Sequence, residues 1–268
     1  MNVQWKHPIR TKLQAGETVL GVTITTPNIE AAALTASLGF DFLWVEMEHS
    51  PVTLETLRNI VLATQCLSAS VFARVPVVEL WTAKRVMDQG VSGVIFPFVS
   101  TSGKALTAAA ACRYPSLGRR GSGAGLAIST WPEPENYYDS ADENILTIIV
   151  IEEAEAVANI EEIVAIPNVD VIFIGTSDLS FSLGLRGRQE NAPELEEAIG
   201  KVVAAAKKHG KFLGRPAESL EQVAKFRQQG FQFFQSQTEL GLMRLGAQAL
   251  GLKATNGNGS NGTPRPMY

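Results

Sequence analysis

The sequence predicts an α/β fold, a single-domain (β/α)8 TIM barrel, and three observations carry that prediction. Short apolar, β-branched runs alternate with stretches of helical periodicity eight times along roughly 235 residues. Such alternation implies a parallel sheet with helical crossovers, and eight units in that length fit a closed barrel better than an open doubly wound sheet. Ile145–Ile151 (ILTIIVI) is apolar throughout, the mark of a strand buried on both faces. The open sheet remains the alternative, because strand order is not written in one sequence.

Taken in order, residues 1–17 read as a polar lead-in, and Val19–Ile24 as the first strand. Asn28 is placed to cap a helix over residues 29–38, which Gly39 ends. The second strand begins at Phe42 and runs through Trp44 and Val45. Thr53–Cys66 is helical, with Leu54, Leu57, Ile60 and Val61 on one face and Thr53 as cap. Ser70–Val75 is the third strand, Glu79–Gln89 a helix closed by Gly90, and Val94–Phe96 the fourth strand. Thr101–Tyr114 is an Ala-rich helix. The connection Pro115–Asn144 lacks strong periodicity over roughly thirty residues, which marks it as a binding loop or lid. After Ile145–Ile151, a helix runs to Val164 and Val169–Ile174 is the sixth strand, leading into GTSDLS. Pro193–His209 is a helix, Lys211–Gly214 a short seventh strand, Leu220–Gln229 a helix, Phe231–Ser236 the eighth strand and Thr238–Leu250 the last helix. The barrel domain is assigned to residues 1–254. Residues 255–268 (TNGNGSNGTPRPMY) form a low-complexity tail expected to be disordered.

Composition narrows the function classes. The 268 residues are 45% apolar and 19% charged, with a net charge of −4. That balance opposes broad attraction to nucleic acid or an anionic membrane. No apolar run approaches the ~18 residues a membrane helix needs, and the N-terminus lacks a secretory apolar core, so the cytoplasm is the expected compartment. Cys66 and Cys112 make neither a disulfide framework nor a zinc pattern, and both are expected to be buried free thiols.

Active-site groups of a barrel cluster at the carboxyl ends of its strands. Here strand two ends in Glu46, Glu48 and His49, strand three in Arg74, strand five in Glu152, and strand six runs into Gly175 and Asp178. Carboxylates from separate strands, without a cysteine or second histidine, suit a hard divalent cation such as Mg²⁺ or Mn²⁺, with Glu152 and Asp178 as ligands. Against this, Asp178 also reads as a turn or N-cap residue, and Glu153 as a helix-dipole partner. Arg74, after an apolar strand and before a proline, needs an anionic partner: a substrate oxygen or Glu46. His49 with Glu46 or Glu48 makes an acid/base pair, or else His49 caps the next helix. GRRGSGAG at 118–125 is a weak dinucleotide signal because no strand precedes it; Arg119 and Arg120 read better as anion contacts or salt-bridge formers. No nucleophile elbow and no lysine at the end of an apolar strand is present.

WVEMEHSP at 44–51, ARV at 73–75, GVIFPFVST at 93–101, YPSLGRRGSG at 114–123, VIEEAEAVANIEEI at 150–163 and VDVIFIGTSDLS at 169–180 together resemble the HpcH/HpaI aldolase family. The match spans about residues 15–250. This resemblance implies metal-dependent (class II) aldolases of 2-oxo acids, a divalent cation (Mg²⁺, Mn²⁺ or Co²⁺) on Glu152 and Asp178, and Arg74 on the pyruvate oxygen. It implies His49 as the catalytic histidine, Glu46 where a partner aspartate usually stands, and Glu48 near metal-bound water. Gly175, Thr176 and Ser177 would meet the pyruvate carboxylate, with Trp44 also in the substrate site. It further implies a homo-oligomer, hexamer or trimer, with the last helix packed on a neighbouring chain. Three features depart from the family pattern: Glu46 for aspartate, Thr176-Ser177 in the metal turn, and Val150 for a polar residue.

The resulting expectation is a lyase cleaving 4-hydroxy-2-oxo acids to pyruvate and an aldehyde. One alternative decarboxylates oxaloacetate and uses the same enolate, as a macrophomate-synthase-like enzyme would. A third, from another class, is a 2-oxo acid-binding barrel without turnover.

Overall fold

The computed structural model describes residues 5–186 and 192–252. Eight strands follow one another round a closed, all-parallel barrel: β1 Val19–Ile24, β2 Phe42–Glu46, β3 Ser70–Arg74, β4 Gly93–Phe96, β5 Leu146–Ile151, β6 Val171–Ile174, β7 Phe212–Pro216 and β8 Phe233–Thr238. β8 pairs with β1, which closes the cylinder and leaves no sheet edge. The TIM-barrel expectation therefore holds, and the open sheet is excluded.

The outer layer is helical. α1 is Pro8–Gln14, α2 Ile29–Ala36, α3 Leu54–Thr64, α4 Leu80–Asp88 and α5 Ser102–Ala111. α6 Gly125–Ile128, a 3₁₀ turn Pro134–Asn136 and α7 Tyr137–Asn144 precede β5. α8 Ala154–Ala158, α9 Ile160–Val164, α10 Thr176–Ser182, α11 Pro193–Lys208, α12 Leu220–Gln229 and α13 Glu239–Ala249 complete it. The expected caps are made: Asn28 accepts from the Ala31 N–H and Thr53 from the Thr56 N–H. No helix among the described residues is long and apolar enough to cross a membrane.

Strand pleating sorts side chains into two cores. On β2, Leu43 and Val45 face the helices, while Phe42 and Trp44 face the barrel axis. Phe72 of β3, Leu146, Ile148 and Val150 of β5, and Val171 and Phe173 of β6 also fill the interior. Phe42 stacks on Phe233 at 4.4 Å and on Phe72 at 5.1 Å. This layer needs a small partner: a Cβ on Gly21 would lie 2.0 Å from Phe42 Cε2.

Several expectations are corrected. The polar lead-in holds α1, whose Ile9 and Leu13 are buried in the interior cluster and plug the amino-terminal end of the barrel. The 115–144 segment is not a lid on the site: residues 115–124 are loop, and α6, the 3₁₀ turn and α7 follow. It joins the end of α5 to the start of β5, so it lies at the face opposite the strands' carboxyl ends, and Trp131, Tyr137 and Ala141 bury it there. Arg120 is buried and donates to the Tyr137 hydroxyl at 2.5 Å, with its guanidinium over the Tyr114 ring; it bridges aromatics rather than anions. GTSDLS is mostly helix α10, and the helix expected after β5 breaks at Asn159 into α8 and α9. Cys112 is buried as expected, but Cys66 is exposed just past α3; both are free. The 255–268 tail lies outside the described residues.

His7 anchors the plug. Its Nδ1 accepts from the Ile9 N–H at 3.1 Å, capping α1, and its own N–H donates to Asn144 Oδ1 at 2.6 Å. Burial, aided by Arg10, pushes the imidazole down to about 3. A depressed pKa means that the unfolded chain binds the proton first. Stability is therefore full above about pH 6.5 and is lost as pH falls toward the folded value. Between pH 7.5 and pH 5 the wild type should lose about 2 kcal/mol more than His7→Asn. Urea midpoints at the two pH values check this, and equal losses would remove His7 from the account.

Candidate active site

The pleat that packs the interior also builds the site. On β2 the inward series is Phe42, Trp44, Glu46, on β3 Phe72 and Arg74, and on β5 Ile148 and Val150, with Glu152 the next inward position beyond the strand. Each series is apolar until its last member, so the charges meet at the carboxyl mouth. There Glu46, His49, Arg74, Glu152, Gly175 and Asp178 line one cavity of about 470 Å³, floored by Trp44 and Phe173. That size suits a small-molecule ligand.

Arg74 stands at the centre. Its Nη2 lies 2.5 Å from Glu48 Oε2 and 3.7 Å from Glu152 Oε2, and its Nη1 lies 3.4 Å from Glu46 Oε2. Glu46 is 5% exposed, and its Oε1 accepts from the Glu48 N–H at 2.8 Å and the His49 N–H at 3.2 Å. Its other oxygen takes the Trp44 indole N–H at 3.3 Å. The carboxylate beside the His49 ring is that of Glu48, 3.5 Å from Nε2. Glu46 reaches His49 through the backbone. Thr53, not His49, caps α3.

Glu152 is 2% exposed, and its Oε1 accepts from the Phe98 N–H at 2.7 Å. Phe98 has φ +50°, left-handed backbone that costs a non-glycine residue on the order of 1 kcal/mol and turns its N–H onto Glu152. Glu152 also lies against Gly175, where a Cβ would come 2.8 Å from its Oε2. Asp178, in the first turn of α10, opens to the mouth and makes no cap bond, so its N-cap alternative falls away. Glu153 bonds Ser100 instead of the cavity.

Three carboxylates share one guanidinium, and the charge of a fourth, Asp178, acts on two of them. Burial pushes the Glu48 carboxyl up to about 7 against the pull of Arg74, with repulsion from Glu46 and Asp178 adding to it. Burial likewise pushes Glu152 up to about 7 against Arg74 and the Phe98 N–H, with Asp178 and Glu48 adding. Glu48 Oε2 has an ion-pair partner but no well-aligned hydrogen bond. Among the described residues no three His, Cys, Asp or Glu side chains converge as a ready metal cage. The carboxylates that could hold a metal are Glu152 and Asp178 at the mouth, close enough for the charge of Asp178 to act on Glu152. That set fits a hard divalent cation that takes its other ligands from substrate and water.

The residues the sequence assigned to the site thus meet in one cavity or at its edge, while Glu153 and Arg120 lie outside it. Sequence reasoning missed Phe98, whose only signal is its place after Pro97. It also missed the neutral wall of Thr23, Pro216, Gln235, Thr238 and Leu240, which carries no charge to mark it. No residue of 115–144 lines this cavity.

Comparison with known proteins shows the family and the fold. The family model described as HpcH/HpaI aldolase/citrate lyase matches residues 23–244. The 2-dehydro-3,6-dideoxy-6-sulfogluconate aldolase of Pseudomonas putida is 32% identical, over 86% of this chain and 90% of that protein. The 5-keto-4-deoxy-D-glucarate aldolase of Klebsiella pneumoniae is 32% identical over 93% and 97%. Among solved structures, an HpcH/HpaI aldolase from Desulfitobacterium hafniense superposes with TM-score 0.84 at 25% identity, covering 92% of this chain and 96% of that one. Macrophomate synthase, at 24% identity and TM-score 0.80 over 91% and 88%, shares the fold.

The carboxylate excess makes a testable charge balance. Glu48 and Glu152 have folded pKa values above their unfolded ones. Their contribution is full below about pH 4.5 and is lost as pH rises through about 7. Arg74→Met should destabilise the protein by about 3 kcal/mol at pH 8 and by much less near pH 5.5, where protons replace the guanidinium. Denaturant midpoints at both pH values read this, and a pH-independent loss contradicts it.

Proposed function

We propose a divalent-cation-dependent carbon–carbon lyase acting through the enolate of pyruvate, on the premise that this chain belongs to the HpcH/HpaI aldolase/citrate lyase family. Its substrates are 4-hydroxy-2-oxo acids, cleaved to pyruvate and an aldehyde and re-formed in reverse. The observation that carries the reading is the single guanidinium set among buried carboxylates at one end of the cavity. The aldolase names of the two bacterial relatives support the lyase class.

Glu152 and Asp178 are the proposed ligands of Mg²⁺, Mn²⁺ or Co²⁺. A cation held there would supply Lewis-acid charge to the substrate's 2-oxo end. Arg74 contacts the 2-oxo oxygen and stabilises the negative charge that develops on it. His49 takes the 4-hydroxyl proton as the C3–C4 bond breaks. The electron pair of that bond passes into the 2-oxo group, the aldehyde leaves, and C3 of the enolate then takes a proton to give pyruvate. Glu48 holds the His49 ring and supports its charged form. Glu46 fixes the turn that presents both. Backbone over Gly175, Thr176 and Ser177 receives the substrate carboxylate, and Trp44 packs beneath it.

The test is pyruvate release from a panel of 4-hydroxy-2-oxo acids. Activity should vanish after EDTA treatment and return with Mg²⁺, Mn²⁺ or Co²⁺. Glu152→Gln and Asp178→Asn should each lower kcat/KM by about 10³. Full turnover by the EDTA-treated protein would sink the cation's role. Carbon dioxide release from oxaloacetate far above the metal-only rate would instead assign the enolate to decarboxylation.

The reading extends to a homo-oligomer, hexamer or trimer, built through the last helix. Met243 and Leu245 of α13 and the following Leu250 are exposed, as is Leu34 of α2, a helix that α13 touches. Light scattering should give a multiple of 28.9 kDa, and Met243→Glu with Leu250→Glu should lower it. A monomeric wild type overturns this part.

A further inference from the structure

The backbone of Phe98 holds Glu152, and it is itself held. Its N–H reaches Glu152 Oε1 at 2.7 Å, and its carbonyl receives the Lys104 ammonium at 2.7 Å. These two groups belong to the peptides on either side of the Phe98 Cα. Fixing both therefore fixes the φ of +50° between them. That conformation is adverse for phenylalanine, and its release would turn the N–H away from Glu152.

The rest of the turn between β4 and α5 is tied down on the same side. The Val99 N–H donates to the Val150 carbonyl at 3.3 Å. The Ser100 hydroxyl donates to Glu153, and Asn159 Nδ2 donates to the Ser100 carbonyl at 2.9 Å. The turn is thus stapled to β5 and α8, with Lys104 the clamp on its left-handed residue.

Helix stability does not account for Lys104. It is exposed in the first turn of α5, where a cation faces the positive end of the helix dipole. Thr101 Oγ1 accepts from its N–H at 3.2 Å and so fixes where the side chain leaves the backbone. An acid would suit the helix better there. The Phe98 carbonyl is what the lysine reaches.

The two Glu152 oxygens are divided. Oε1 takes the Phe98 N–H, while Oε2 lies toward Arg74 and Gly175. With Oε1 held, the carboxylate is aimed before a cation arrives. We infer that Lys104 is a positioning residue for the cation ligand Glu152, acting from outside the site through the backbone of Phe98. This rests on the reading above of Glu152 as a ligand. The ammonium has two effects of opposite sign. As a bare charge it repels a divalent ion, so its removal would tighten binding. As a clamp it aims Glu152, so its removal weakens binding.

The experiment reads Mn²⁺ binding to the full chain by titration calorimetry, without substrate. Lys104→Met should raise the Mn²⁺ Kd at least about five-fold. Phe98→Gly removes the bias against left-handed backbone, so in that background Lys104→Met should cost less than about two-fold. Urea midpoints show that each variant is folded, as the exposure of Lys104 leads one to expect. An unchanged or lower Kd in Lys104→Met overturns the inference, and so does an equal loss in both backgrounds. If the wild type binds no Mn²⁺, or Glu152→Gln leaves the Kd unchanged, the ligand reading falls and the inference falls with it.

Discussion

Acids this close together in a folded interior must be neutralised by a cation or by protons, and Arg74 is the cation set among them. Its position is not adjustable. The β2–β3 ladder sets Glu46 directly beside Arg74, and the β3–β4 ladder sets Arg74 beside Ile95. A guanidinium presents donors in a planar fork, so one side chain reaches Glu46 from Nη1 and both Glu48 and Glu152 from Nη2. One positive charge against four acids does not balance. The remainder shows in the two carboxyls pushed to about 7. Both are held near the point where they take up or release a proton at neutral pH.

The interior below the site explains why chemistry is confined to one end. Phe42, Phe72 and Phe233 fill the middle of the barrel, and Ile9 and Leu13 of α1 close the lower end. Trp44 and Phe173, 5.0 Å apart, form the next layer up and become the cavity floor. The ligand-accessible depth is therefore the height of a single inward residue on each strand. That residue is charged on β2 and β3 and, just past its end, on β5. It is neutral on β1 and β8. The division of the mouth into a charged and an uncharged half follows from which strand supplies which last residue.

The strands were legible because burial on both faces leaves little choice of residue, and their ends were legible because packing does not explain an ionisable group after an apolar run. Arg74 and Glu152 stand out on that ground alone. The helix α1 was hidden because only Ile9 and Leu13 mark it within a polar stretch, too few for a periodic signal. The 115–144 segment was misread for a related reason. Its helices run four and eight residues, and what orders them is Trp131 and Tyr137 packing on distant parts of the chain, with Trp5 edge-on to Trp131. Phe98 was invisible because its role lies in a backbone angle. The neutral wall was invisible because threonine, glutamine and leucine at strand ends look like ordinary loop and core.

Glu46 shows how one extra methylene is absorbed. Resemblance to the family sets an aspartate at this position, close to the histidine. The longer glutamate folds back instead, its Oε1 receiving the N–H groups of Glu48 and His49 and its Oε2 the indole of Trp44. The Ser50 hydroxyl donates to the Glu46 carbonyl and tightens the same turn. Spent this way, the Glu46 carboxylate acts as a clamp on the 46–50 backbone, and Glu48 becomes the acid nearest the imidazole. The carboxylate at the imidazole is thus the one two residues beyond Glu46, and the turn between them is held by the N–H groups that Glu46 receives.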